Sequence, residues 1–318
     1  MKVLVRVVAL LAAAFAATAQ AQNLSIATGG TGGVYYPLGG GMAAVLSKYV
    51  DGMQATAEVT GGSVANLQLI GTAKPYIALT MSDATLDAYK GEDKFKGKPV
   101  PVRTLMILYP NRMHVVTLDG TSIRRIADLK GKRVSTGSGG SATEVMAFRV
   151  IEAAGLSWDK DMRRERLGVA ESASALKDHK IDAFFWVGGL PTAAVTDLAS
   201  SPGIRIRLID HADLVPAMNR KYGNLYVKDT IGKDVYRGME RDNEQATVMN
   251  LLVAHEKMDD KTAYNIVKTI FDKRDELIRV HKEAENIKLE IQKTAAAGGI
   301  PWHPGAARYF KEKGVKLD

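Results

Sequence analysis

Apolar and polar positions along the chain alternate in short runs, and each run ends at a glycine-rich turn. Leu24 to Thr28 reads as a short strand, followed by the loop Gly29 to Gly33 and a helix from about Pro37 to Tyr49. Ala55 to Val59 is a second strand. Gly61-Gly62-Ser63 then opens a helix carrying Val64, Leu67, Leu69 and Ile70, and Tyr76 to Thr80 is a third strand ending at Ser82-Asp83. Strand, helix, strand, helix, strand predicts parallel strands with crossover helices, an α/β fold. Lys90 to Pro101, rich in Gly, Lys and Pro, is an exposed loop.

A second series repeats the theme. Arg103 to Tyr109 is an apolar strand stopped by Pro110-Asn111, and His114 to Leu118 is another. Arg133 to Thr136 is a strand, Gly137 to Ser141 a loop, and a helix runs from there to about Ala154. Asp182 to Val187 is an apolar strand ending at Gly188-Gly189, and Ile204 to Ile209 alternates like a half-exposed strand. Val248 to His255 is apolar again. Lys261 to Arg279 reads as one long amphipathic helix, and Ala284 to Ala296 as a further one. Two α/β lobes follow, with boundaries at 22–112 plus 237–318 and at 113–236. The chain is expected to cross between them near 110–113 and 219–236.

The N-terminus sets the expected compartment. Lys2 and Arg6, the apolar run Val7 to Ala17, and Ala19-Gln20-Ala21 come in the order of a secretory signal, with cleavage after Ala21. That run is too short to span a bilayer as a retained helix. No cysteine occurs, which excludes disulfides, thiolate metal sites and a lipid anchor on cysteine. The formal charge of +8 includes Lys2 and Arg6, leaving +6 on the remainder, scattered among acids. Export argues against a nucleic-acid partner, and a monomer is expected.

The two Gly/Ser loops carry the strongest chemical signal. Each sets glycine backbone at a helix N-terminus, where N–H groups lack intrahelical partners and the helix dipole adds positive charge. That arrangement suits a carboxylate or phosphate. Thr31, Ser138, Ser141 and Thr143 add hydroxyls. Either hydroxyl of Tyr35-Tyr36 could fix a ligand's polar end, and Phe184, Phe185 and Trp186 divide between core and cleft by strand alternation. Gly137 to Ala142 also fits G-x-G-x-x-A, but the acid such a motif wants, Glu165, lies in Arg163-Arg164-Glu165-Arg166, a poor strand. Neither G-x-S-x-G nor H-E-x-x-H occurs, and the six histidines show no short ligand spacing. An enzyme, a metal site and a cofactor are therefore not expected.

Ala27-Thr28-Gly29-Gly30-Thr31-Gly32-Gly33-Val34-Tyr35-Tyr36-Pro37-Leu38-Gly39 resembles the opening of the TAXI family, receptors of a branch of tripartite ATP-independent periplasmic (TRAP) transporters. Thr60 to Leu67, Ser82-Asp83, Asp128 to Val134, Gly137 to Glu144, Asp182 to Phe185 and Trp302 to Phe310 continue the likeness across the chain. The resemblance implies a type II periplasmic-binding-protein fold, with two α/β lobes, a hinge and a ligand in the cleft. It implies a receptor for a small carboxylate, glutamate-like or 2-oxoglutarate-like, that delivers to an ion-gradient-driven permease. A periplasmic sensor feeding a membrane kinase is the alternative. Carried over by motif, the ligand-facing positions are Thr31, Gly32, Gly33, Tyr36, Ser82, Gly137, Ser138, Ser141, Thr143, Phe185 and Gly188. Ala142 and Trp186 depart from the family pattern beside the cleft and leave the ligand open.

Overall fold

The computed structural model describes residues 22–318; the expected signal segment, 1–21, lies outside the described residues. Ten strands form one sheet in the order β2-β1-β3-β10-β4-β7-β5-β6, with β8 on β4 and β9 on β10. The strands β1 (Gln22–Ala27), β2 (Met53–Glu58) and β3 (Tyr76–Met81) run parallel. They are linked by α1 (Tyr35–Tyr49) and α2 (Ser63–Ile70), and α3 (Ser82–Lys90) follows β3 directly. The other half holds β5 (Arg133–Ser135), α4 (Ala142–Ala153), β6 (Arg163–Glu165), α5 (Val169–Lys177), β7 (Ala183–Gly188) and α6 (Ala193–Ser200). There β5 pairs in parallel with both β6 and β7. These are the crossovers that the alternating sequence predicts.

Two long strands join the halves. β4 (Val102–Leu118) pairs antiparallel with β10 (Asn243–His255) from Val102 to Arg112, and with β7 from Arg112 to Thr117. The expected break at Pro110-Asn111 is absent, and β4 passes straight through. Pro110 stands opposite Met249, next to a register shift between Met249 and Leu251. A proline donates no ladder hydrogen bond, so an irregularity in the pairing is where a strand accommodates one. The segment 219–236 ends α7 (Val215–Tyr222) and forms β9 (Val227–Ile231). The strand that runs beside β4 is β10.

Three further expectations change. The long helix 261–279 is two helices, α8 (Asp260–Asp272) and α9 (Arg274–Val280), divided at Lys273. The stretch 284–296 holds only short 3-10 turns at Lys282–Asn286 and Leu289–Ile291. There Gln292 spends its side chain on the backbone of Ile107. Arg163 to Glu165 is a strand despite its charges, because it lies at the sheet edge, where Arg163 and Glu165 stay exposed. The half-exposed run at 204–209 contributes β8 (Ile206–Leu208). The last helix, α10 (Pro304–Glu312), packs Tyr309 and Phe310 into the core against α8. No helix among the described residues is long and apolar enough to cross a membrane.

Candidate functional site

A cavity of about 230 Å³ lies between the two halves. Its lining includes the first residues of α1 (Val34, Tyr35), α2 (Ser63), α4 (Ala142, Thr143) and α5 (Val169), with Met81 just before α3. Four of these helices, α1, α2, α4 and α5, therefore begin at one space, and α3 begins just behind it. Each brings unpaired N–H groups and about half a positive charge. Glu171 is the one charged side chain in the lining, and its carboxylate folds back against Gly168 at the start of its own helix. Among the described residues, no Lys or Arg lines the cavity.

The floor comes from the long strands. Tyr109 and Asn111 of β4 line it, 0% and 2% exposed, and the Tyr109 hydroxyl and Asn111 Oδ1 have no hydrogen-bond partner. Asn111 Nδ2 donates to Asn250 Oδ1 at 3.0 Å, and the Tyr35 hydroxyl donates to the same oxygen. Asn250 Nδ2 is also buried and unpaired. Orphaned polar groups at such depth cost stability unless something pairs with them. Burial raises the Tyr109 phenol well above its ordinary value, with Tyr35 and Glu283 adding to the effect. Burial likewise raises Tyr35, against a hydrogen bond from Ser63. Both phenols therefore stay protonated and can donate.

The halves meet along a glycine seam. Ser138 Oγ donates to the Gly61 carbonyl at 3.0 Å, Ala65 N–H to the Gly140 carbonyl at 3.1 Å, and Ala194 N–H to the Gly32 carbonyl at 3.3 Å. A Cβ on Gly61 would stand 2.6 Å from the Gly139 oxygen, and one on Gly33 2.8 Å from the Trp186 ring. Behind the seam, Arg149 of α4, 4% exposed, binds Asp87 of α3. Its Nη1 donates to the Tyr226 hydroxyl at 2.8 Å, which in turn donates to Asp83 at 2.9 Å. Burial raises the Asp87 carboxyl to about 6 against the pull of Arg149.

The structure gathers Gly33, Ser138, Ser141, Thr143 and Gly188 of the expected residues around the cavity and leaves the others off its wall. Ser141 Oγ is already engaged, since it accepts from Glu144 N–H and donates to the Ser138 carbonyl at 2.7 Å. It is a helix cap and has no proton left for a ligand. Thr143 Oγ1 accepts from Val187 N–H at 3.3 Å and keeps its proton to give. Thr31 is exposed, and Gly32 abuts Ala170 and Ala194. Tyr36 is 37% exposed, because the turn of α1 presents Tyr35 inward instead. Ser82 is buried beside Gly298. Gly137, at φ +101, makes room for the Thr143 side chain. Phe185 opposes Val115 in the core, so alternation turns Trp186 into the cavity.

Tyr109, Asn111 and Asn250 escaped the sequence reading. The signal for the first two was a polar pair inside an apolar run, read as the end of a strand. Glu165 does stand at a strand end, as a dinucleotide motif wants. The loop it would serve is filled, however, by the backbone of Gly61 to Ala65. Among the described residues no cluster of His, Cys, Asp and Glu could hold a metal ion.

The architecture has solved counterparts. A protein from Bordetella bronchiseptica is 18% identical, with 92% of this chain and 83% of that one covered, at a TM-score of 0.55. A periplasmic transporter is 13% identical, with 93% and 98% covered, at 0.52. The periplasmic aliphatic sulphonate binding protein SsuA from Escherichia coli is 15% identical, with 91% and 83% covered, at 0.47. The fold is the mixed α/β architecture of periplasmic binding proteins, with a central sheet flanked by helices. Residues 26–314 match the model of the NMT1-like family, and the chain belongs to that family.

Proposed function

We propose that this protein is an exported solute-binding receptor whose inter-lobe cavity captures a small carboxylate for an ion-gradient-driven TRAP permease. One observation carries the reading. Four helix N-termini converge on a cavity that, among the described residues, has no basic side chain in its lining and has a buried, unpaired tyrosine hydroxyl in its floor. A carboxylate suits that field, because backbone N–H groups and hydroxyls stabilise it without a counter-ion. The Tyr109 hydroxyl, Thr143 Oγ1, Ser63 Oγ and the N–H groups of Ala142 and Thr143 are among the donors within the lining. Trp186, Val34 and Met81 supply apolar wall.

The lobes in this reading are 22–112 with 237–318, and 113–236, and they hinge on β4 and β10. The order of charge, apolar run and small residues before Gln22 supports export. Gln22 is already a strand residue, so cleavage after Ala21 leaves every described element intact.

The test is to recover ligand from purified protein by mild denaturation, identify it by mass spectrometry, and titrate it back calorimetrically beside glutamate, 2-oxoglutarate and a short dicarboxylate. Saturable binding of one carboxylate that Thr143→Val weakens by about tenfold supports the reading. Recovery of a neutral or cationic solute, with no carboxylate binding, overturns it. N-terminal sequencing of the periplasmic protein should begin near Gln22, and retention of Met1 would refute export.

A further inference from the structure

A second polar concavity, about 140 Å³, opens at the end of β4 remote from the cavity. Its lining places four arginines, Arg124, Arg205, Arg207 and Arg241, around the apolar floor of Ile206 and Leu208. Leu118, which pairs with Ile206 there, lies about 23 Å along the strand from Asn111 at ~3.3 Å per residue.

The acids at this site brace the arginines rather than cancel them. Asp119 holds Arg207 and, at 3.8 Å, Arg205; Glu240 holds Arg205 at 3.1 Å; Asp210 holds Arg241. Arg124 has no carboxylate within ion-pair distance among the described residues. Its Nη1 donates instead to the backbone carbonyls of Thr121 and Ile123, which orient the guanidinium and leave its positive charge uncompensated. Four guanidinium groups face three carboxylates, so the site carries an excess of one positive charge. Several of their N–H groups have no acceptor among the described residues.

We infer that this pocket is a second anion site that takes a phosphate group, independent of the ligand cavity. Planar guanidinium forks match tetrahedral oxyanions in a bidentate manner. A buried floor strengthens the attraction relative to open water. The volume also suits a phosphate with a few waters, since one water occupies about 30 Å³ of liquid. The phosphate could arrive as the free ion or as the headgroup of an anionic phospholipid, and the two sources separate by experiment.

The probes are inorganic phosphate, followed by calorimetry at low salt, and sedimentation with phosphatidylglycerol or phosphatidylcholine vesicles. Wild type should bind phosphate saturably. Arg124→Gln, which removes an exposed side chain with no carboxylate partner, should weaken that binding by about tenfold. Arg207→Gln is the second variant, and Arg220→Gln, exposed and outside the pocket lining, is the control that should change nothing. Co-sedimentation with phosphatidylglycerol alone, lost in Arg124→Gln, assigns a lipid headgroup; phosphate binding without co-sedimentation assigns the free ion. The inference fails if neither phosphate nor anionic vesicles bind. It also fails if Arg220→Gln weakens binding as much as Arg124→Gln does.

Discussion

Gly61→Ala separates closure of the seam from stability of the fold. Gly61 does not need a left-handed backbone, so alanine is conformationally allowed there, and its effect comes from the seam alone. The added Cβ would stand 2.6 Å from the carbonyl oxygen of Gly139, closer than such contacts tolerate. The seam must part by several tenths of an ångström. Two hydrogen bonds that cross it nearby, Ser138 Oγ to Gly61 O and Ala65 N to Gly140 O, then lengthen beyond usefulness. At about 1 kcal/mol each, their loss costs the closed form ~2 kcal/mol, or about thirtyfold in affinity. The unfolded chain meanwhile loses freedom, which offsets any penalty in the open form by about 0.5 kcal/mol. Calorimetry with the recovered ligand should therefore show the thirtyfold loss while the melting temperature of ligand-free protein holds or rises slightly. Hydrogen exchange at Ala65 should speed up. Unchanged affinity together with unchanged protection of Ala65 would refute the reasoning.

Three further outcomes are expected. Tyr109→Phe removes a buried hydroxyl that has no partner, so urea unfolding should show ligand-free stability equal to or above wild type, while ligand affinity falls by about tenfold; a clear loss of ligand-free stability would mean the hydroxyl is paired within the protein. Arg149→Met leaves Asp83 and Asp87 buried without their cation and should cost about 3–5 kcal/mol in denaturant unfolding at neutral pH; a cost under 1 kcal/mol would show that the cluster is hydrated rather than dry. Burial lowers both His114 and His211 to about 4, below the ordinary value near 6.5, so their contribution is present above 6.5 and is lost as pH falls towards 4. His211→Gln should flatten that acid loss in stability measured at pH 7 and 4.5, and Asp87, which works in the opposite direction, is common to both proteins; equal slopes would refute the assignment.

The sequence pointed to the loops that border the candidate cavity more clearly than to the side chains that face it. Glycine loops before helices are a local signal, and both loops do border the cavity. Their hydroxyls were misjudged because capping is a matter of atoms: Ser141 satisfies Glu144 and Ser138, whereas Thr143, two residues on, keeps its proton free. Tyr36 and Phe185 each missed by one position, since helix phase and strand alternation depend on where an element begins to the residue. Tyr109, Asn111 and Asn250 were not legible, because they converge only when two strands far apart in sequence are laid side by side. The split of 261–279 at Lys273 and the failure of 284–296 to form a helix were likewise decided by packing, with Gln292 committed to β4.

β4 and β10 lie side by side for eleven positions of β4, from Val102 to Arg112, and both continue past the cavity floor. In the proposed hinge, this pair acts as a leaf spring rather than a pin joint. Its rungs are backbone hydrogen bonds, so it resists being stretched along its length and yields more readily to bending. Bending concentrates where rungs are missing, and the register shift beside Pro110 supplies that place one residue from Asn111. The compliant point of the spring and the unpaired groups in the cavity floor thus lie side by side. A molecule that pairs with Asn111 would stiffen the joint it sits on, so that occupancy is felt as rigidity at both ends of the ribbon.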